Sequence, residues 1–133
     1  MLEYHVTARR LDPHGSLVTA KAASLVADTD LAGRTDAMNP VELLLGALSA
    51  CIIKGAERVL PVLGFDLRGI EVRLHAVRQD SPPRLISIDY VITVDTDEPD
   101  GRLELLHTNI RKYGTISNTL ALVVPLTGRI VRA

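Results

Sequence analysis

Cys51 is the single thiol of the chain, and the residues at helical spacing around it define what chemistry it can do. Cysteine is a nucleophile as the thiolate, so a reactive one needs a lowered pKa and access. If its segment is helical, Leu44, Ala47, Leu48, Lys54, Gly55 and Arg58 share its face. Lys54 and Arg58 would favour a thiolate. The plainer reading makes them two solvated cations where the helix leaves the core, with Cys51 as a small buried hydrophobe. One cysteine excludes an internal disulfide framework and any multi-thiolate metal site within a chain. His5, His14, His75 and His107 are dispersed, with no pair at metal-ligand spacing. No Ser-His-Asp constellation or Gly-rich phosphate loop accompanies them, so neither a metal nor a cofactor is expected.

The element that must position Cys51 carries the strongest local signal in the sequence. Asn39-Pro40-Val41-Glu42 combines an N-cap residue, proline at the first helical position and glutamate at the third. Asn39 can accept from the freed amides and Glu42 can reach back to the Asn39 amide. The helix then runs through LLLGALSACIIKGAERVL and is apolar almost all round from Leu43 to Ile53, which predicts a buried central helix. Pro61 should end or kink it, with Gly64 as a C-terminal stop. Gly46 is expected to allow close helix contact near the axis of a dimer.

Ahead of this helix, Tyr4 to Leu11, Ser16 to Ala23 and Ser24 to Asp28 read as strands, the first two joined by a turn at Asp12-Pro13-His14-Gly15. Behind it, Ile70, Val72, Leu74 and Ala76 alternate with more polar residues, as do Ile86, Ile88, Tyr90, Ile92 and Val94. These are two half-buried strands, joined through Ser81-Pro82-Pro83 as an antiparallel pair. Asp97-Glu98-Pro99-Asp100 opens a second helix with a stripe of Leu103, Leu106, Ile110 and Tyr113, broken at Gly114. Tyr113 is expected to pack against that stripe. Ser117 would cap a short helix, and Thr127 to Arg132 would close the fold as a strand. The order of elements gives an α+β fold class, with residues 1–133 as a single domain.

Composition narrows the function classes. With 133 residues, 47% apolar, the chain can bury a sizeable core. A net charge of −1, no Trp, one Phe and three Tyr argue against a nucleic-acid partner, which would call for basic excess and stacking surface. The apolar run from Leu43 to Ile53 falls far short of the roughly 20 residues of a membrane span. The opening MLEYHVTARR has no apolar h-region, so a cytoplasmic protein with a reduced thiol is expected.

The run from Asn39 to Cys51, NPVELLLGALSAC, resembles the central-helix signature of the OsmC/Ohr family (osmotically induced protein C and organic hydroperoxide resistance proteins). KYGTISNTL, from Lys112 to Leu120, resembles that family's second motif. The order of elements also fits, so the resemblance spans nearly the whole chain. It implies an OsmC-like fold: a long buried central helix wrapped by antiparallel sheets in an intertwined homodimer. It implies thiol-dependent reduction of a small-molecule organic hydroperoxide, with Cys51 as the peroxidatic thiol that becomes a sulfenic acid. An early-strand arginine and a glutamate at the helix start then orient and activate the thiolate. The glutamate maps onto Glu42 and the arginine onto Arg9 or Arg10, which lie on opposite faces of one strand so that only one can face the site, with Arg10 preferred.

Two departures matter. Gly114 stands where the family has its resolving cysteine, so an external thiol would have to reduce the oxidised Cys51. Val41 follows Pro40 where the hydroperoxide-resistance branch has its glutamate, which here comes one residue later as Glu42. Nine residues of straight helix rotate by about 180° and rise about 13.5 Å, so Glu42 points away from Cys51 and is better explained as the capping residue. Two functions follow from the resemblance: a one-Cys thiol peroxidase, or a non-catalytic dimer binding a small apolar or thiol-containing ligand at its interface.

Overall fold

A computed structural model describes residues 1–133. The chain separates into two compact units, 1–46 and 47–133. The first is an antiparallel meander of β1 (Thr7–Asp12), β2 (Gly15–Ala20) and β3 (Ala23–Asp28) in sequence order. The β1–β2 turn forms as its residues dictate: the Asp12 carboxylate accepts from the amides of His14 and Gly15 at 2.8 and 3.1 Å. The second hairpin turns at Lys21-Ala22, so the strand expected to reach Ala23 stops at Ala20. Lys21 takes φ +56°, a left-handed conformation that no glycine or asparagine announces there. The loop after β3 is organised by acids. Asp28 accepts from the amides of Asp30 and Arg34, and Asp30 accepts from the Ala32 amide and pairs with His14 at 2.7 Å.

Helix α1 (Pro40–Leu63) begins in the first unit and continues in the second. Of the two ends expected, Pro61 and Gly64, it takes the second. Pro61 sits inside its last turn, where its ring costs one hydrogen bond but does not end the helix. The stop is Gly64 at φ +58°, with the Phe65 amide bonded back to the Leu60 carbonyl at 3.0 Å, the closure of a Schellman motif. Leu48, Ile52, Gly55, Ala56 and Val59 form the buried stripe. Within one chain, Ala47 and Ala50 stay exposed and Leu43, Leu44 and Leu45 are half-buried.

The second unit holds the core. Strands β4 (Gly69–Asp80) and β5 (Pro83–Asp95) form the expected antiparallel pair. The closing strand β6 (Leu126–Arg132) adds parallel to β5, with Tyr90 opposite Gly128. Alternation along β5 puts Ile88, Tyr90, Ile92 and Val94 on the buried face. Helix α2 (Asp100–Tyr113) buries Leu103, Leu106 and Ile110. Tyr113, expected in that stripe, is 47% exposed with the Lys112 ammonium 5.3 Å from its ring. A short α3 (Thr115–Leu120) follows. The loop between β5 and α2 is fastened by arginine: Arg132 donates to the Thr96 and Glu98 carbonyls, and Arg102 to the Glu98 carboxylate.

Candidate active site

The start of α1 is a reciprocal capping box. The Glu42 amide donates to Asn39 Oδ1 at 2.9 Å, and the Asn39 amide donates to Glu42 Oε1 at 3.0 Å. One carboxylate oxygen of Glu42 is therefore occupied by the cap. Nine residues on, Cys51 is a free, half-buried thiol one position before the buried Ile52. Lys54 and Arg58, on its face, are both exposed.

Where α1 meets α2, the contact is at Gly55. A methyl group there would touch the Ile110 side chain and carbonyl, each at 3.7 Å. A methyl at Gly46 would meet nothing within 4 Å in the chain, whereas Gly55, one turn after Cys51, takes the close approach of α2. The second motif meets the same Ile110. A methyl at Gly114 would lie 3.1 Å from the Ile110 carbonyl oxygen and 3.0 Å from Ser117 Oγ, tighter than ordinary van der Waals contact. Gly55, four residues past the first motif, and Gly114 of the second thus both lie against Ile110 of α2.

Ser117 does not cap α3 as expected. It lies inside the helix, 1% exposed, and its hydroxyl has no hydrogen-bond partner. Asn118 ties α3 to α2, its amide donating to the Gly114 carbonyl at 2.8 Å and Nδ2 to the Lys112 carbonyl at 3.3 Å. In the first unit, Arg10 pairs in register with Ser16 and Arg9 with Leu17; both arginines are exposed.

One polar cluster escaped the sequence reading. Tyr90 of β5 and His107 and Arg111 of α2 meet on the inner face of the second sheet. The Tyr90 hydroxyl lies 2.6 Å from His107 Nε2, and Arg111 Nη1 donates to that hydroxyl at 3.2 Å. Burial pushes the His107 pKa below 6.5, and the Arg111 charge adds to this while Glu104 opposes it. The usable signal was the spacing of His107 to Arg111, four residues on the same helix face.

The family model for OsmC-like proteins matches residues 33–127, more than half of the chain, and the chain belongs to that family. No curated protein sequence matches it. Solved structures agree on the fold. An OsmC-like protein from Mycoplasma pneumoniae superposes with a TM-score of 0.90 at 15% identity, over 99% of this chain and 98% of the other. The organic hydroperoxide resistance protein OhrB of Bacillus subtilis gives 0.73 at 18% identity, over 98% of each chain. An organic hydroperoxide resistance protein from Elizabethkingia anophelis, with thiocyanate bound from the crystallant, gives 0.78 at 12% identity, over 100% and 98%. The α+β, OsmC-like fold is therefore established. No helix of the chain is long and apolar enough to cross a membrane.

Proposed function

We propose that the protein is a thiol-dependent peroxidase that reduces organic hydroperoxides through Cys51, working as a cytoplasmic homodimer. The supporting observation is a free, half-buried thiol on the long helix of an OsmC-like fold, one turn from the place where α1 meets α2. The Cys51 thiolate attacks one peroxidic oxygen. The O–O bond breaks, the alkoxide leaves and is protonated to the alcohol, and Cys51 becomes a sulfenic acid. With Gly114 in place of a second thiol, an external thiol condenses with the sulfenic acid and releases water. A second external thiol then displaces Cys51 from the mixed disulfide. Arg10 is the proposed activating residue, and Glu42, turned away from Cys51 on its helix, is proposed to act only by holding that guanidinium. Glu42 has Oε2 left for such a guanidinium, since the cap uses Oε1.

The test is turnover. Purified protein supplied with an organic hydroperoxide and a dithiol should consume both, and Cys51→Ser should abolish consumption. Equal consumption by Cys51→Ser would end this reading.

The alternative, a non-catalytic dimer that binds a small apolar or thiol-containing ligand, is favoured by one observation: Glu42 is engaged in the cap and Val41 carries no carboxylate. A ligand that raises the melting temperature equally in wild type and Cys51→Ser, without turnover, would support it.

A further inference from the structure

We propose that Tyr90, His107 and Arg111 form a proton-operated latch that fastens the last turn of α2, and with it Gly114–Ser117, while His107 is neutral. The inference stands apart from the peroxidase reading, because it holds whether or not Cys51 reacts.

The geometry fixes the donor count. Tyr90 is 2% exposed, so its hydroxyl has the protein to satisfy it. Arg111 Nη1 donates to the phenolic oxygen at 3.2 Å and approaches the Leu126 carbonyl of β6 at 3.5 Å. The phenolic hydrogen must then go to His107 Nε2 at 2.6 Å, which assigns the proton of the neutral ring to Nδ1. The guanidinium also lies 5.8 Å from the Tyr90 ring centre, and the His107 ring meets that ring edge-on at 5.6 Å. Gly128 leaves the space for this: a methyl there would stand inside the Tyr90 ring.

Protonation reverses the arrangement. Nε2 becomes a donor, the phenolic oxygen faces two cationic donors, and the buried O–H loses its acceptor. On α2, Arg111 one turn after His107 repels the new charge, and exposed Glu104 one turn before attracts it. From β5 the facing group is the Tyr90 phenol. From β6 come the Leu126 carbonyl and the bare Gly128, and α3 contains no titratable side chain. Burial of His107 sets the operating range below the ordinary histidine value. Arg111 precedes Gly114 by three residues, and Asn118 binds both the Gly114 and Lys112 carbonyls, so freeing Arg111 loosens the turn that seats α3.

The experiment is an NMR titration of the full chain from about pH 8 to about pH 5, spanning the ordinary histidine range. The His107 imidazole and the amides of Gly114, Thr115 and Ser117 should shift with one midpoint, below pH 6.5. Tyr90→Phe, which removes only the hydroxyl, should raise the His107 midpoint and uncouple the amides from it. His75→Gln should leave both unchanged. The proposal is overturned if those amides stay still while His107 titrates in the wild type, or if Tyr90→Phe leaves the midpoint where it was.

Discussion

The chain folds two three-stranded sheets that differ in how they are covered. In β4–β6, Ile88, Tyr90, Ile92 and Val94 are buried in a unit that also buries Leu103, Leu106 and Ile110 of α2. In β1–β3, every residue of β1 is exposed, and the buried positions of the first unit are Gly15, Ala27 and Asp28. Leu11, Leu25 and Val26 face solvent there. A small sheet needs an apolar face packed on something for lasting stability, and a run of exposed aliphatics marks an interaction surface. The second sheet therefore carries the stability of one chain. The first leaves Leu11, Leu25 and Val26 exposed, and the proposed homodimer would be the means of covering them.

The sharpest way to break this contrast is to truncate one leucine in each region. Leu106, fully buried, should lose about 2–5 kcal/mol on conversion to Ala, measured by chemical denaturation. Leu25→Ala, at a position 40% exposed, should stay within about 0.5 kcal/mol in dilute protein. It should lower the midpoint only at concentrations where the dimer forms. A concentration-independent loss at Leu25 as large as that at Leu106 would show that the first sheet is covered within its own chain. Next in size is Gly128→Ala, which drives a methyl into the Tyr90 ring and should cost about 1–3 kcal/mol, with near-ultraviolet circular dichroism reporting the disturbed tyrosine. Smaller again is Asn39→Ala. It removes the cap oxygen of α1 and should cost about 0.5–2 kcal/mol in the same denaturation assay.

The smallest contrast is on the pH axis. The folded pKa of His107 is lowered, so the unfolded chain binds more protons between that value and 6.5. Its contribution to stability is complete above pH 6.5 and is lost as pH falls towards the folded pKa. Melting temperatures over that window should fall in the wild type and flatten in His107→Gln. Asp30 of the first unit, held low by the Ala32 amide and His14, loses its contribution only as pH falls below 3.8. An unchanged slope in His107→Gln would remove the distinction between the two units.

These differences also explain what the sequence made legible. Asn39, Pro40 and Glu42 act within one turn of each other, so their cap could be read directly and then found bond for bond. Alternation from Ile88 to Val94 reads the same way, because burial on one face imposes period two, while Ile86 nearer the start of the strand is exposed. The turn at Lys21-Ala22 left no mark, since a lysine occupies the left-handed position where glycine or asparagine would have signalled it. The end of α1 was legible at Gly64, which supplies the stop as expected, while Pro61 in the last turn removes one bond without ending the helix. Ser117 looked like a cap because serine usually is one; in the fold its hydroxyl is packed against Gly114. The Tyr90 cluster depends on Tyr90 and His107, a separation of 17 positions in sequence, being brought together on the sheet, which no local pattern encodes. Cys51 stood out as the one thiol, whereas its activating partners are a matter of assembly and reactivity.

Reactivity is where the central claim is decided. Stopped-flow mixing of the reduced protein with an organic hydroperoxide measures the rate of Cys51 oxidation, with the thiol pKa taken from the pH dependence of its alkylation. The account predicts oxidation far faster than that of a free thiol of the same pKa, slowed by Arg10→Ala with the fold intact. A Cys51 that reacts no faster than such a free thiol would contradict it and leave the fold as a binding scaffold.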